Sequence, residues 1–237
     1  MNNKKLSESI SSFQNLWEGG FHTGYSKKRN QQGLENYILP EVTDKCVLEI
    51  GCGGGQWSKA MYKQVDRLYC IDILSSSHNG FWAHVGEQCR DKITYCHVKD
   101  FSLSDIPDDS IDYVFSYDVF CHIPLSGHKE YLKNLYSKCK KGAKLCIMYA
   151  DPLKYLRSEP EHEFHVRYNS PNQGRNYSHE ELVDACLMDK DGQPKAGRWF
   201  WVGIDTFVSL CKELGYTIIN EDLNIDETNP ITLFRKI

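Results

Sequence analysis

Short apolar runs alternate with amphipathic stretches through the middle of the chain. Five of these runs have the length and composition of buried strands, at residues 46–50, 67–72, 93–98, 111–116 and 144–149. In the segments 56–62 and 128–139, which lie between these runs, apolar residues recur at the spacing of a helix. Strands that alternate with helices form βαβ units, so the pattern predicts an α/β fold whose parallel sheet is covered on both faces.

The C-terminal pattern is different. A helical stretch at 204–214 stops at Gly215, and two apolar runs follow at 216–219 and 231–234. The polar loop between these runs leaves no room for a helix, so the pattern predicts an antiparallel pair of strands.

Two segments lie outside the alternation, and we treat the whole chain, 1–237, as a single domain. Residues 1–40 form a predicted N-terminal cap with a helix at 6–17. Residues 151–200 form a polar, aromatic insertion between the fifth strand and the last helix. Because a structureless loop of this length is uncommon, the insertion is predicted to be a lid over the substrate.

Composition narrows the class of protein. With 41% hydrophobic and 25% charged residues the chain has ordinary globular composition. No apolar run approaches a membrane span, and no apolar signal region follows the N-terminus. The ten cysteines are scattered singly, which favours reduced thiols, a cytoplasmic location and no metal site. The net charge of −4 and the small basic clusters argue against a nucleic-acid partner.

A glycine-rich turn, Gly51-Cys52-Gly53-Gly54-Gly55, follows the first strand and lets a ligand approach the backbone closely. Gln56 stands where a dinucleotide fingerprint needs glycine, which disfavours a pyrophosphate ligand. Glu49 would repel pyrophosphate but suits a cationic ligand.

Acidic residues recur where the next strands end. Asp72 ends the second strand, at a position from which a carboxylate can accept both hydroxyls of a ribose. Asp100 and Phe101 follow the third strand and are placed to contact an adenine. Because these ends face one crevice of an open sheet, the residues predict one ligand site. A helix N-cap for each aspartate and a core position for Phe101 are the alternatives.

Together these residues resemble the class I S-adenosylmethionine (SAM)-dependent methyltransferases. The resemblance implies a doubly wound, mostly parallel seven-stranded sheet with an antiparallel last strand. It also implies that SAM is the cofactor and that S-adenosylhomocysteine is its product. Carried over by position, the cofactor-binding residues are Glu49, Gly51, Cys52 and Gly53 at the methionine part, Gln56 and Trp57 opening the next helix, Asp72 at the ribose, Ile73, Asp100 and Phe101 at the adenine, and Ser116 and Tyr117 at the amino group.

The fourth strand leads into a segment that offers a base. His122 follows the ligand-facing edge of the sheet, and an imidazole can remove a proton near neutral pH. We therefore predict that His122 is catalytic, with Asp118 orienting it or, as a weaker alternative, joining a metal site. A histidine that merely packs this loop is the structural alternative.

The insertion carries the clue to the substrate. It holds four of the chain's eight arginines, whose planar guanidinium groups suit phosphate or carboxylate. We predict O-methylation of an anionic small molecule, with substrate contacts from Tyr25, His165, Arg167, Tyr168 and Arg175. Pairing of these arginines with neighbouring glutamates is an equal alternative. The rival functions are methylation of an amine, a catalytically silent SAM-binding subunit and a nicotinamide oxidoreductase.

Overall fold

The computed structural model describes residues 28–158, 164–165, 176–177 and 200–237. The helix predicted at 6–17 and most of the predicted lid lie outside the described residues. Within them, no helix has the length and apolar character needed to cross a membrane.

A seven-stranded sheet organises the molecule. In chain order its strands are β1 (Cys46–Ile50), β2 (Arg67–Asp72), β3 (Ile93–His97), β4 (Ile111–Ser116), β5 (Cys139–Met148), β8 (Tyr216–Asn220) and β9 (Ile231–Lys236). Their spatial order is β3-β2-β1-β4-β5-β9-β8, and only β9 runs antiparallel to its neighbours. The predicted sheet, including its antiparallel last strand, is therefore confirmed.

Helices cover both faces of the sheet. They are α1 (Lys28–Val42), α2 (Gln56–Met61), α3 (Phe81–Val85), α4 (Leu125–Lys138), α5 (Pro152–Ser158) and α6 (Ile204–Glu213), with 3-10 turns at Glu87–Asp91 and Phe120–His122. One buried cluster joins α1, α2 and α3 to the sheet, and the other joins α4 and α6 to the opposite face. The fold is thus doubly wound, as predicted.

The main differences from the pattern-based prediction are one helix and the starts of two other elements. α1 was not predicted, although Leu34, Ile38 and Val42 recur at four-residue spacing and are at most 1% exposed. α4 begins at Leu125, earlier than the predicted start at 128, because the extended Pro124 precedes the first helical residue. β5 begins at Cys139, which pairs with Ile111, so its polar first half extends the strand beyond the apolar run.

Asp151 holds the two ends of the insertion together at the end of β5. One carboxylate oxygen accepts the backbone N–H of Lys154 in α5 (2.6 Å), and the other accepts that of Ile204 in α6 (2.8 Å). The side chain is only 3% exposed, so the two helices begin on one buried carboxylate. Ala150 also bridges to Trp201. The start of α5 and the start of α6 therefore lie together beside the end of β5.

A short two-stranded ladder lies within the insertion. It consists of β6 (Phe164–His165) and β7 (Asn176–Tyr177), which pair antiparallel. The predicted lid thus contains some regular structure, while most of its residues lie outside the part of the chain that the structure describes.

Candidate functional site

The carboxyl ends of the central strands form the candidate site. β1 lies between β2 and β4, so the chain crosses over at β1 and opens a crevice at the strand ends. The loop 51–55 leaves β1 here, the turn after Asp72 leaves β2, and the segment 117–123 leaves β4.

The glycines of the loop serve different purposes. Gly51 (φ 72°) packs against the segment that leaves β4, and a Cβ added there would lie 2.2 Å from Val119 Cγ2. A Cβ added to Gly53 (φ 49°) would meet nothing within 4 Å. Gly51 therefore permits close packing of the loop, whereas Gly53 has open space on the side where a ligand can approach.

Asp72 joins β2 to the glycine loop. Its carboxylate accepts the backbone N–H groups of Gly53 (2.9 Å) and Leu74 (2.8 Å). Burial raises the pKa of Asp72, while these hydrogen bonds act in the opposite direction. The carboxylate thereby fixes the open glycine, and its predicted contact with a ribose stays a prediction.

Glu49 lies beneath the loop. Its side chain is 2% exposed and accepts a hydrogen bond from the Ser58 hydroxyl (2.5 Å), with the Cys70 thiol at 3.8 Å. Burial raises the pKa of Glu49 to about 8, and the nearby Asp72 acts in the same direction. Cys52 is also buried, with a pKa raised chiefly by burial. The predicted acidic contact is thus a buried carboxyl group under the cofactor loop.

Asp100 and Phe101, the two residues after β3 that are predicted to contact adenine, lie in different environments. Asp100 is exposed and accepts the backbone N–H of Ser102 (2.9 Å), and this hydrogen bonding lowers its pKa. Phe101 is 6% exposed and packs against Tyr131 at a ring distance of 4.6 Å. Phe101 is therefore part of the core, the alternative that its sequence position left open. Ile73 is half-buried at the end of β2.

An aromatic wall lies between β4 and α2. The Ser116 hydroxyl donates to the carbonyl of Ile50 (3.0 Å), which joins the ends of β4 and β1. Tyr117 donates to the Asp226 carboxylate (2.7 Å), and its ring lies 5.4 Å from that of Trp57. The half-buried Gln56 opens α2 beside Trp57. Four of the predicted cofactor-binding residues therefore lie where β4 ends and where α2 begins.

The turn after β4 gathers three reactive side chains. Asp118 has a left-handed backbone (φ 59°), and the Cys121 thiol lies 3.5 Å from its carboxylate. One ligand-type atom each from Asp118, Cys121 and His122 lies within 4.8 Å of the others. Burial raises the pKa of Asp118, and the nearby His122 acts in the opposite direction. His122 is thus half-buried near the Asp118 carboxylate, and its catalytic role stays a prediction.

This turn is fixed on two sides. The Phe120 carbonyl lies 2.7 Å from Nε2 of the buried His128. The Cys121 carbonyl accepts the backbone N–H of Phe200 (2.7 Å), at the point where the insertion rejoins the fold. The insertion and the candidate acceptor side of the site are therefore in direct contact.

The residues predicted to bind substrate fall largely outside this geometry. Tyr25, Arg167, Tyr168 and Arg175 lie outside the described residues, and only the backbone of His165 is described, in β6. Cys121 and Asp226 were not among the site residues predicted from the sequence. The Asp118-x-x-Cys121-His122 spacing was a signal for the first, whereas nothing near Asp226 in the sequence indicated its contact with Tyr117.

Comparisons with known proteins point to one family. A family model described as a methyltransferase domain matches residues 23–221. No curated protein matches the chain significantly.

Solved structures share the fold at low sequence identity. A SAM-dependent methyltransferase from Aquifex aeolicus is 14% identical, with all of both chains covered and a TM-score of 0.57. The 1,6-didemethyltoxoflavin-N1-methyltransferase of Burkholderia thailandensis, solved with S-adenosylhomocysteine, is 12% identical over 99% of this chain and 86% of its own (TM-score 0.61). A phosphoethanolamine N-methyltransferase from Haemonchus contortus is 17% identical over 92% of this chain and 44% of its own (TM-score 0.56).

The contact between Gly51 and Val119 can be tested by a double-mutant cycle. Gly51→Ala should lower the free energy of unfolding by roughly 2–4 kcal/mol, because it adds a clash to a left-handed backbone. Gly142→Ala is the matched control: φ is 83° but nothing lies within 4 Å of its Cβ, so only the backbone cost of about 1–2 kcal/mol applies. Val119→Ala should partly rescue Gly51→Ala. Equal costs for the two alanines, measured by urea unfolding, would contradict the packing.

The buried Glu49 predicts a pH dependence of stability. A carboxyl whose pKa is about 8 when folded and 4.5 when unfolded binds more protons in the folded state, so stability falls as pH rises between these values. Glu49→Gln keeps an acceptor for Ser58 and should flatten this fall, measured as Tm from about pH 5 to about pH 8. The exposed Glu213→Gln should retain the wild-type slope. A Glu49→Gln profile parallel to wild type would show that Glu49 is ionised when folded.

Proposed function

We propose a function from the premise that this chain belongs to the methyltransferase-domain family, as a Rossmann-like class I SAM-dependent methyltransferase. We infer that it transfers a methyl group from SAM to a small molecule, and that the acceptor is an anionic metabolite methylated on oxygen. The observation that carries this proposal is the direct contact between the glycine loop and the turn that bears His122.

The charges and space of the crevice fit the cofactor. Gly53 is open on its ligand side, and Glu49 and Asp72 lie under and beside it. SAM supplies an activated methyl on a sulfonium. The Asp72 carboxylate complements its positive charges, and so does Glu49 once the bound cation favours its ionised form. Asp72, whose carboxylate already orients the Gly53 backbone, would hold the ribose, and the wall formed by Trp57 and Tyr117 would border the methionine part.

His122 is the proposed base. Methyl transfer is an in-line displacement, for which alignment of the two reactants contributes much of the rate. A hydroxyl acceptor also loses a proton, and His122 lies at the end of β4, one strand from the glycine loop. Asp118, within 4.8 Å, would orient the imidazole and stabilise the cation that forms when it accepts the proton.

The insertion supports an anionic acceptor. Its C-terminal end adjoins the turn after β4, since Phe200 bonds to Cys121, and Asp151 holds its first helix, α5, beside the start of α6. Its arginines, at 157, 167, 175 and 198, would then face the acceptor's phosphate or carboxylate. Only Arg157 has a described side chain; it is exposed, and its Nε donates to the Leu153 carbonyl.

Methylation of an amine is the second candidate. The described residues around the turn are acidic, with Asp118 and Asp226 close to each other, and an acidic wall favours an acceptor whose reacting end is cationic or neutral. Two of the three solved structures described above are named as N-methyltransferases. An amine that reacts in its neutral form needs less help from a base, so His122 would matter less.

The test uses methyl-labelled SAM and a metabolite extract, and it follows the label. Label in small molecules retained by an anion exchanger would support an anionic acceptor, and the carbon chemical shift of the transferred methyl in the purified product, measured by NMR, would separate N- from O-methylation. Label only in neutral compounds, protein or nucleic acid would contradict the anionic substrate. Binding of SAM without any label would support a silent subunit instead.

His122→Ala separates the two acceptor chemistries. For a hydroxyl acceptor we expect kcat to fall by roughly 10²–10⁴-fold, with the affinity for S-adenosylhomocysteine unchanged. His84→Ala, in α3, is the matched control and should behave as wild type. A His122→Ala variant with wild-type kcat would contradict the role of His122 as base and favour the amine.

A further inference from the structure

We propose that Asp118, Cys121 and His122 form a binding site for a single soft divalent cation of the Zn²⁺ type, with an open position towards the crevice. This inference uses the geometry of the turn after β4 and does not depend on the proposed acceptor. It assigns a role to Cys121, which the proposed methyl transfer does not use.

The three side chains offer the ligand atoms that zinc prefers. A carboxylate, a thiolate and an imidazole together are a suitable donor set, and three protein ligands with one open position are typical of zinc sites that keep room for a further ligand. Among the described residues, these three form the one group of at least three His, Cys, Asp or Glu side chains close enough to share an ion.

The spacing of the donors fits a tetrahedral ion. Zinc bonds of about 2.0 Å to oxygen and about 2.3 Å to sulfur place these two ligands about 3.5 Å apart in a tetrahedron. Cys121 Sγ and Asp118 Oδ1 lie 3.5 Å apart. All three donor atoms lie within 4.8 Å of one another. A side-chain rotation that moves the His122 ring nitrogen by about 1 Å would complete the set.

The backbone holds the donors in place. Asp118 has the left-handed φ of 59°, a strained conformation for a residue with a side chain, which persists where the surroundings enforce it. The 3-10 turn Phe120–His122 is closed by the bond from the His122 N–H to the Val119 carbonyl (2.9 Å). The bonds of Phe120 and Cys121 to His128 and Phe200 anchor it further. The donors are thus presented by one rigid turn.

The electrostatics of the turn also favour a cation. Asp226 acts on Asp118 as a second negative charge, and Cys121 is buried while Asp118 and His122 are half-buried. Partial exclusion of water strengthens the attraction of these acidic groups for an ion.

One consequence rests on the proposed function. An ion bound at His122 takes the nitrogen lone pair that a base needs, so zinc should slow O-methylation and a chelator should restore it. The deciding experiment avoids turnover, so that failure of the metal site and failure of the methyltransferase assignment can be told apart.

That experiment is a titration of the full-length, metal-free protein with Co²⁺ under reducing conditions, without SAM or acceptor. We expect one equivalent to bind, with a thiolate-to-cobalt charge-transfer band in the near ultraviolet and the strong visible bands of a tetrahedral ion. Zn²⁺ should abolish both by displacement. Absence of the charge-transfer band in the wild-type protein would overturn the proposal.

Variants locate the ion. Cys121→Ser should remove the charge-transfer band, whereas Cys211→Ser, another fully buried thiol, in α6, should leave it intact. His122→Gln keeps Cys121 and should weaken Co²⁺ binding at least about tenfold, which serves as the readout if Cys121→Ser does not fold. A band that survives Cys121→Ser would place the ion at other cysteines and overturn the proposal. Unchanged Co²⁺ affinity in His122→Gln would exclude His122 as a ligand and would also overturn it.

Discussion

The close approach of Gly51 to Val119 joins the two halves of the site. With any Cβ at 51 the glycine loop would be pushed away from the segment leaving β4, since the added atom would lie 2.2 Å from a Val119 methyl. The Ser116 hydroxyl bonds to the Ile50 carbonyl one residue earlier, so β1 and β4 end in register. The loop for the cofactor and the turn with the candidate acceptor groups therefore cannot move independently.

The two acidic residues at this junction, Glu49 and Asp72, have different environments. Glu49 is buried beneath the loop with a pKa of about 8, so near neutral pH it is largely a neutral hydrogen-bonding group. Asp72 bonds two backbone N–H groups and has its charge directed at the loop. From their sequence positions, both were expected to be carboxylates that face the ligand. A cationic ligand would favour the ionised form of Glu49, which couples cofactor binding to a proton.

The sequence predicted what depends on local patterning. The strands, the antiparallel C-terminal pair and the convergence of the strand ends follow from apolar runs and βαβ logic, and the structure confirms them. It could not predict partners that are distant in sequence: Asp151 caps helices on both sides of the insertion, and Tyr117 meets Asp226 from 109 residues away. Phe101 had two open assignments, because an aromatic residue after a strand suits both core and ligand contact, and its packing against Tyr131 could not be predicted from the local sequence.

The central claim is that this strand-end crevice binds SAM through the glycine loop and Asp72. Its most direct test is calorimetric titration with S-adenosylhomocysteine and, separately, with NADH. We predict that S-adenosylhomocysteine binds and NADH does not. Asp72→Ala should weaken binding by roughly 10–100-fold, the effect of losing a charged hydrogen bond, whereas Asp66→Ala, exposed at the opposite end of β2, should leave it unchanged. Binding of NADH, or wild-type affinity in Asp72→Ala, would contradict the account.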